Sequence, residues 1–231
     1  MSGFFITGTD TGVGKTLVTG ALMVALQQRG LTVAPMKPVA AGTVMMNGMA
    51  VNEDVALLQE LSSHRFPLRD VNPCCFSEPI APHIAASLED VHVDVEVVRA
   101  AYARLAAQSD VVLVEGAGGF LVPMSETVSM AEIPIDLALP VILVVAMRLG
   151  CINHALLTAE AIRARHLVLA GWVANTPGAQ MAAYEANLAT LERLLKAPLL
   201  GVINQIAIGN SLEAARVAAA HLDSGRLCIG V

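Results

Sequence analysis

Directly after a short apolar run, Phe4–Thr7, the chain reads Gly8-Thr9-Asp10-Thr11-Gly12-Val13-Gly14-Lys15-Thr16. A strand that leaves through a glycine-rich turn and opens a helix with Gly-Lys-Thr admits few folds, because the turn must lie at the carboxyl end of a sheet whose crossover helix starts there. Glycines at 8, 12 and 14 let backbone N–H groups turn inward around phosphate oxygens, and the helix N-terminus adds positive partial charge. Lys15 can then reach the β and γ phosphates, and Thr16 can ligate magnesium. The spacing departs from the usual G-x4-G-K-[ST] pattern: Thr9 stands where that pattern has glycine, and Gly8 lies one residue earlier.

Further β-branched runs alternate with helical stretches. Thr32–Met36, Val111–Val114, Val141–Val145, Val168–Ala174 and Leu199–Ile203 read as buried strands bounded by Gly, Pro or polar turn residues. Their continuous apolarity means that both sheet faces are covered. Val98, Ala101 and Leu105, and Tyr184, Leu188, Leu191 and Leu195, recur at spacings of 3 and 4 that suit amphipathic crossover helices. The expected fold is therefore α/β: a doubly wound, mostly parallel sheet with helices on both faces, like that of P-loop nucleotide hydrolases. No Ser/Gly linker, repeat or low-complexity tract divides the 231 residues, so residues 1–231 read as a single domain. Gly42–Asn52 and the proline-punctuated Phe66–Pro82 read as long loops.

Composition narrows the function classes. A chain that is 55% hydrophobic and 15% charged folds into a compact globule, and its net charge of −6 argues against a nucleic-acid coat. Aromatic residues, at 3%, are too few for base-stacking platforms. No run approaches the roughly 18 apolar residues of a membrane span, and the N-terminus has no basic segment leading into an apolar one, so neither a membrane nor a secretory route is expected. Cys74, Cys75, Cys151 and Cys228 form no C-x-x-C pair, which fits a reducing cytoplasm better than a disulfide framework.

A phosphate-binding loop needs a carboxylate on the metal side. Val111–Val114 leads into Glu115 and then Gly116-Ala117-Gly118-Gly119, so an acid closes a buried strand ahead of a glycine-rich turn. Buried there it costs free energy unless paired or metal-bound. Asp54 is a second candidate, since a short helix starting near Asn52 would turn it toward the same cation. Lys37, flanked by Pro35 and Pro38 at the end of the second strand, is rigidly placed to neutralise a carboxylate, a carbamate or a transferring phosphoryl group.

Several stretches together, TGTDTGVGKT, KPVAAG, VNPCCFSEPIAPHIAA, VVLVEGAGGFLVP, LPVILVVAMRLGCINHALLT and LAGWVAN, closely resemble the dethiobiotin synthetase family, in order from about residue 4 to residue 201. The resemblance implies an enzyme that joins 7,8-diaminononanoate and CO2 (or bicarbonate), with ATP as co-substrate and Mg2+ as cofactor, into a cyclic urea in biotin synthesis. One amine is carbamated, the carbamate oxygen takes the γ-phosphoryl group, and the second amine displaces phosphate. By the same resemblance Lys37, Lys15 and Thr11 carry the catalysis, and the backbone of Gly12, Val13, Gly14, Lys15 and Thr16 holds the triphosphate. Thr16, Asp54 and Glu115 correspond to the magnesium ligands, and Gly116, Ala117 and Gly118 to a turn facing nucleotide and substrate. Ala41, Pro79 and Ile80 fall on the substrate side. Leu149, Gly150, Cys151, Ile152 and Asn153 match a helix start that binds the substrate carboxylate across a homodimer interface. Asn175 matches an adenine-side asparagine, and Asn204, Gln205 and Ile206 fall on the stretch that contacts the base.

The chain departs from that family at Ala41, where serine is common, and at Val202–Ile206, where relatives usually carry a proline and an aromatic residue. Beyond Ile206 only a closing helix, Leu212–Leu222, is expected. Rival classes leave different marks. A positioning ATPase would carry lysine at position 10, where this chain has Asp10, and a regulatory GTPase would carry Asn/Thr-Lys-x-Asp, which Val173–Pro177 does not supply. The phosphate and metal residues alone leave a small-molecule kinase open, and Ala41 with Asn204-Gln205 leaves a silent nucleotide-binding paralogue. Cys151 reads as a small core residue, His154 as a helix-start hydrogen bonder, and Met45, Met46 and Met49 as an apolar loop or a lid over an aliphatic substrate.

Overall fold

The computed structural model describes residues 2–46 and 48–229. Its central sheet has six strands: β1 (Ser2–Gly8), β2 (Val33–Met36), β7 (Val111–Gly119), β8 (Val141–Ala146), β9 (Leu169–Asn175) and β10 (Leu199–Ile203). They lie in the order β10-β9-β8-β1-β7-β2, and every pairing is parallel. Each strand carries an apolar run because successive residues serve opposite cores. Phe5 belongs to the core that also takes in α5 (Val95–Ala106), α7 (Cys151–Arg163) and α8 (Tyr184–Leu195), whereas Phe4 and Ile6 belong to the core of α1 (Lys15–Gln27), α2 (Glu53–Leu61) and α9 (Ser211–Ala219). This is the doubly wound arrangement expected from the strand pattern. The closing helix is α9, which lies on α1 where Gly20 leaves room for Ala215 and Leu61. No described helix is long and apolar enough to cross a membrane.

The helices differ in how they begin. Asn52, Asp94 and Asn210 cap α2, α5 and α9 by accepting first-turn amides with their side chains. In contrast, α1 and α7 start on Gly14 (φ 90) and Gly150 (φ 93), with no side chain bonded to their first-turn amides. The first-turn amides of α1, and those of Ile152 and Asn153 in α7, remain available to an anion, whereas the Cys151 amide donates to Arg148 O (2.9 Å).

Three expectations are corrected. Gly42–Asn52 is not an open loop: Val44–Met46 (β4) and Met49–Val51 (β5) pair antiparallel, with Met45, Met46 and Met49 exposed. Asn47-Gly48 between them is the dipeptide that two-residue hairpin turns favour, and Gly48 has φ 79; Asn47 lies outside the described residues. Phe66–Pro82 holds a short helix, α3 (Leu68–Val71), and a strand, β6 (Cys74–Phe76), paired in parallel with β3 (Val39–Ala41). Glu115 does not end its strand, since β7 runs on through Gly116–Gly119 and pairs again with β1 at Gly8–Gly119 after a register shift. Glycine is needed there, because a Cβ on Gly116 would come within 2.7 Å of the Phe5 ring.

Candidate active site

Lys37 leaves β2 with its backbone clamped on both sides. Its N–H donates to Val71 O (2.7 Å) and its carbonyl accepts from Asn72 Nδ2 (2.6 Å). Its side chain is thereby directed under α2 toward β7. Nζ lies 2.7 Å from Asp54 Oδ2 and 2.6 Å from Glu115 Oε1. From the opposite side, the Thr16 hydroxyl at the start of α1 donates to the same Glu115 Oε1 (2.9 Å). The residues named from the sequence for phosphate, metal and acceptor chemistry thus meet at one carboxylate.

Burial and charge oppose each other here. Burial alone would push the Lys37 pKa down, but Glu115 and then Asp54 outweigh it and raise it above the usual lysine value. Burial would raise the Asp54 carboxyl, yet the Lys37 ammonium overcomes it and holds the group low. Lys15 goes the other way: desolvation lowers its pKa, and Glu115 offsets this only in part. Lys37 and Asp54 therefore each favour the other's charged form.

The phosphate-binding loop is braced from outside. Asp10 accepts the Thr11 amide at Oδ1 (2.7 Å) and the Arg148 guanidinium at Oδ2 (2.6 Å), and its carbonyl accepts from Lys15 Nζ (3.1 Å). From below, Asn175 Nδ2 donates to Val13 O (2.8 Å), so close that a Cβ on Gly14 would lie 2.1 Å from that nitrogen. Arg148 was not anticipated, because nothing in sequence links it to a residue so distant.

An open cleft of about 760 Å³ runs over these groups. Thr11, Gly12, Gly14, Lys15 and Thr16 form one wall, Lys37, Asp54, Glu115, Ala117 and Gly118 the floor, and Ala41, Asn52, Pro79 and Ile80 the other wall. Pro79 is drawn in by Gly42, which at φ 87 passes so near that a Cβ would fall 2.9 Å from the proline's own. Other expected residues lie elsewhere. Val13 and Gly116 are buried behind the cleft, and Asn175 lies beneath the loop. Leu149 is 94% exposed just before α7, and on the helix's first turn Cys151 is buried, Ile152 partly buried and Asn153 exposed. Asn204 and Gln205 are exposed after β10, with Ile206 packed against the α1-side core.

Whether this floor suits a metal follows from its donors. Glu115 Oε2 is buried with no hydrogen-bond donor among the described residues. Near it are the Thr16 hydroxyl and the half-exposed Asp54 carboxylate, and the described residues hold no cluster of three or more His, Cys, Asp or Glu. Two carboxylates and a hydroxyl are hard oxygen donors, the sparse set that suits Mg2+, which keeps several waters and takes other ligands from phosphates.

Comparison with known proteins is consistent with this geometry. A family model described as an AAA domain matches residues 2–210. The chain is 50% identical over 204 residues to the ATP-dependent dethiobiotin synthetase BioD of Aromatoleum aromaticum, covering 88% of this chain and 91% of that protein. It is 51% identical over 201 residues to the BioD of Nitrosospira multiformis, covering 87% of each. Among solved structures, the septum site-determining protein MinD of Pyrococcus horikoshii, complexed with Mg-ADP, superposes with a TM-score of 0.53 over 92% of this chain and 86% of that one. At 21% identity that likeness concerns the fold. With about half of the aligned residues identical to those of curated relatives over most of its length, the chain belongs to the ATP-dependent dethiobiotin synthetase family.

Proposed function

We propose that this cleft closes the ureido ring of dethiobiotin from 7,8-diaminononanoate and CO2, with ATP as co-substrate. One amine of the diamine adds CO2 to give a carbamate. A carbamate oxygen attacks the γ-phosphorus, and the bond from that phosphorus to the ADP oxygen breaks. The second amine then attacks the carbamate carbon, and phosphate leaves carrying the oxygen that took it up. Phosphoryl transfer thus yields ADP, ring closure yields phosphate, and the two amines give up their protons along the way.

In this reading the first-turn amides of α1, with Gly12, Val13 and Gly14, bind the phosphate oxygens, and Lys15 and Thr11 stabilise the charge that shifts during transfer. Lys37 holds the carbamate oxygens against the γ-phosphoryl group, so that two anions can approach. Mg2+ would be held by Thr16, Asp54 and Glu115, and when bound it neutralises charge on the β and γ oxygens. Ala41, Pro79, Ile80 and Gly118 orient the diamine, and Ala117, with Gly116 packed behind it, forms the stretch that faces nucleotide and substrate. The uncapped start of α7, Leu149–Asn153, serves the distal carboxylate of a diamine held by a second copy in a homodimer. Asn175 and Asn204–Ile206 lie toward the base. A cytoplasmic location accords with this metabolic role.

The observation that carries this reading is Lys37 Nζ, held between Asp54 and Glu115 on the floor of a cleft whose wall is the phosphate-binding loop. Its test is phosphate release from MgATP with bicarbonate, with and without the diamine, while the product is followed by mass spectrometry. Diamine-dependent phosphate with a cyclic urea is expected. Phosphate release indifferent to the diamine, or a phosphorylated alcohol, would overturn it.

A further inference from the structure

Asn52 is buried, and both ends of its amide are engaged. Its Oδ1 accepts Val55 N–H (3.4 Å) as the cap of α2, while its Nδ2 donates to Gly42 O (2.8 Å) and Ala41 O (3.4 Å). Those two carbonyls close β3, the strand that begins at Val39, beside Lys37. Between Gly42 and Asn52 the chain makes the β4–β5 hairpin, whose methionines face solvent. The amide therefore pinches the neck of an exposed excursion. It ties the first turn of α2, which carries Asp54, to the segment that carries Lys37.

We infer that Asn52 is a positioning residue for the metal site: its amide fixes Asp54 against Lys37 and Glu115 by bonding the neck of the β4–β5 hairpin. This rests on the proposed role of Asp54. The two functions of the amide are separable. Serine at an N-cap accepts the first-turn N–H about as well as asparagine, but it is too short to span to the Ala41 and Gly42 carbonyls. Aspartate keeps the cap and, ionised, has no proton to give those carbonyls. A capping role alone predicts that both substitutions are silent; a positioning role predicts that both disturb Asp54. Outer-shell partners of metal ligands typically change metal affinity by about tenfold or more when removed.

The test uses Mn2+ as the probe, titrated into the full-length protein with ADP and followed by the loss of its free-ion electron paramagnetic resonance signal. Asn52→Ser and Asn52→Asp are compared with the parent, with ADP affinity measured separately in EDTA. We expect about tenfold weaker Mn2+ binding in both variants, with metal-free ADP affinity close to the parent and a lowered melting temperature, more so in Asn52→Asp, whose carboxylate would face the Ala41 and Gly42 carbonyls. Parent-like Mn2+ binding in either folded variant would overturn the inference, as would equal loss of ADP affinity with and without metal. Asp54→Asn, run alongside, tells the failures apart. If it weakens Mn2+ binding while Asn52→Ser does not, Asn52 is only a cap; if it too is silent, the metal role of Asp54 is at fault. Should Asn52→Ser not fold, Asn52→Asp carries the measurement.

Discussion

Lys37 Nζ lies 2.6 Å from Glu115 Oε1, and neither side chain is appreciably exposed to solvent. Losing one partner strands the other in a poorly hydrated place, so Lys37→Ala should cost about 3 kcal/mol of stability and about 10²–10³-fold in turnover. Lys37→Met combined with Glu115→Gln removes both charges and should recover most of the stability but none of the turnover. Urea denaturation and single-turnover phosphate release check the two halves. A double variant as unstable as Lys37→Ala would contradict the pairing.

Glu115→Gln keeps the shape of the side chain and an oxygen for the Thr16 hydroxyl, but removes the charge. The Mg2+ needed for half-maximal turnover should rise about tenfold or more, with little change in the fold. An unchanged Mg2+ titration would take Glu115 out of the metal site.

The acid limb of stability should report Asp54. Lys37 holds its carboxyl below the unfolded value of 3.8, so the folded state binds that proton less readily than the unfolded chain. Its contribution is therefore fully present above pH 3.8 and fades as pH falls through the folded value. The stability difference between parent and Asp54→Asn should be flat from about pH 5 to 8 and close below pH 3.8. Lys37 has the opposite sign: its pKa is raised, so its contribution is complete below 10.5 and lost only as pH climbs past that value. Urea melts across this range give the result directly.

Gly14→Ala meets two obstacles. Its φ of 90 would strain an L side chain by about 1–2 kcal/mol, and the new Cβ would press on Asn175 Nδ2. Adding Asn175→Ala relieves the contact but not the strain, so melting temperature should return only in part. ADP binding by calorimetry should be lost in Gly14→Ala and weak in the pair.

The sequence made the strand cores and the charged centre readable for the same reason: each depends on residue type at short range. Continuous apolar runs mark strands covered on both faces, and Gly14-Lys15-Thr16 marks a helix start whatever surrounds it. Glu115 stood out as an acid in an apolar run, and Lys37 as a lysine held by prolines. What escaped depends on contacts across the fold. The β3–β6 pair is three residues long on each side and joins segments more than thirty residues apart, with Gly42 meeting Pro79 just beyond it, which no local pattern announces. The β4–β5 hairpin did carry a signal, Asn47-Gly48 between apolar residues, but strands of three residues are too short for an alternation that sets them apart from a loop. Asn52 was legible as the start of a helix but not as a clasp, since its partners at 41 and 42 are near only once the hairpin has closed. Asn72, which holds the Lys37 carbonyl, and Arg148, which braces Asp10, gave no sign in sequence for the same reason.

The central claim is that the γ-phosphoryl group passes to a carbamate oxygen under Lys37. It is tested most directly by running one turnover with 18O-labelled CO2, the diamine and MgATP, fast enough to outpace exchange with water, and weighing the released phosphate. One labelled oxygen in the phosphate, appearing in step with the cyclic urea, is the predicted result. Phosphate that carries no label from CO2 while the urea forms would contradict the account.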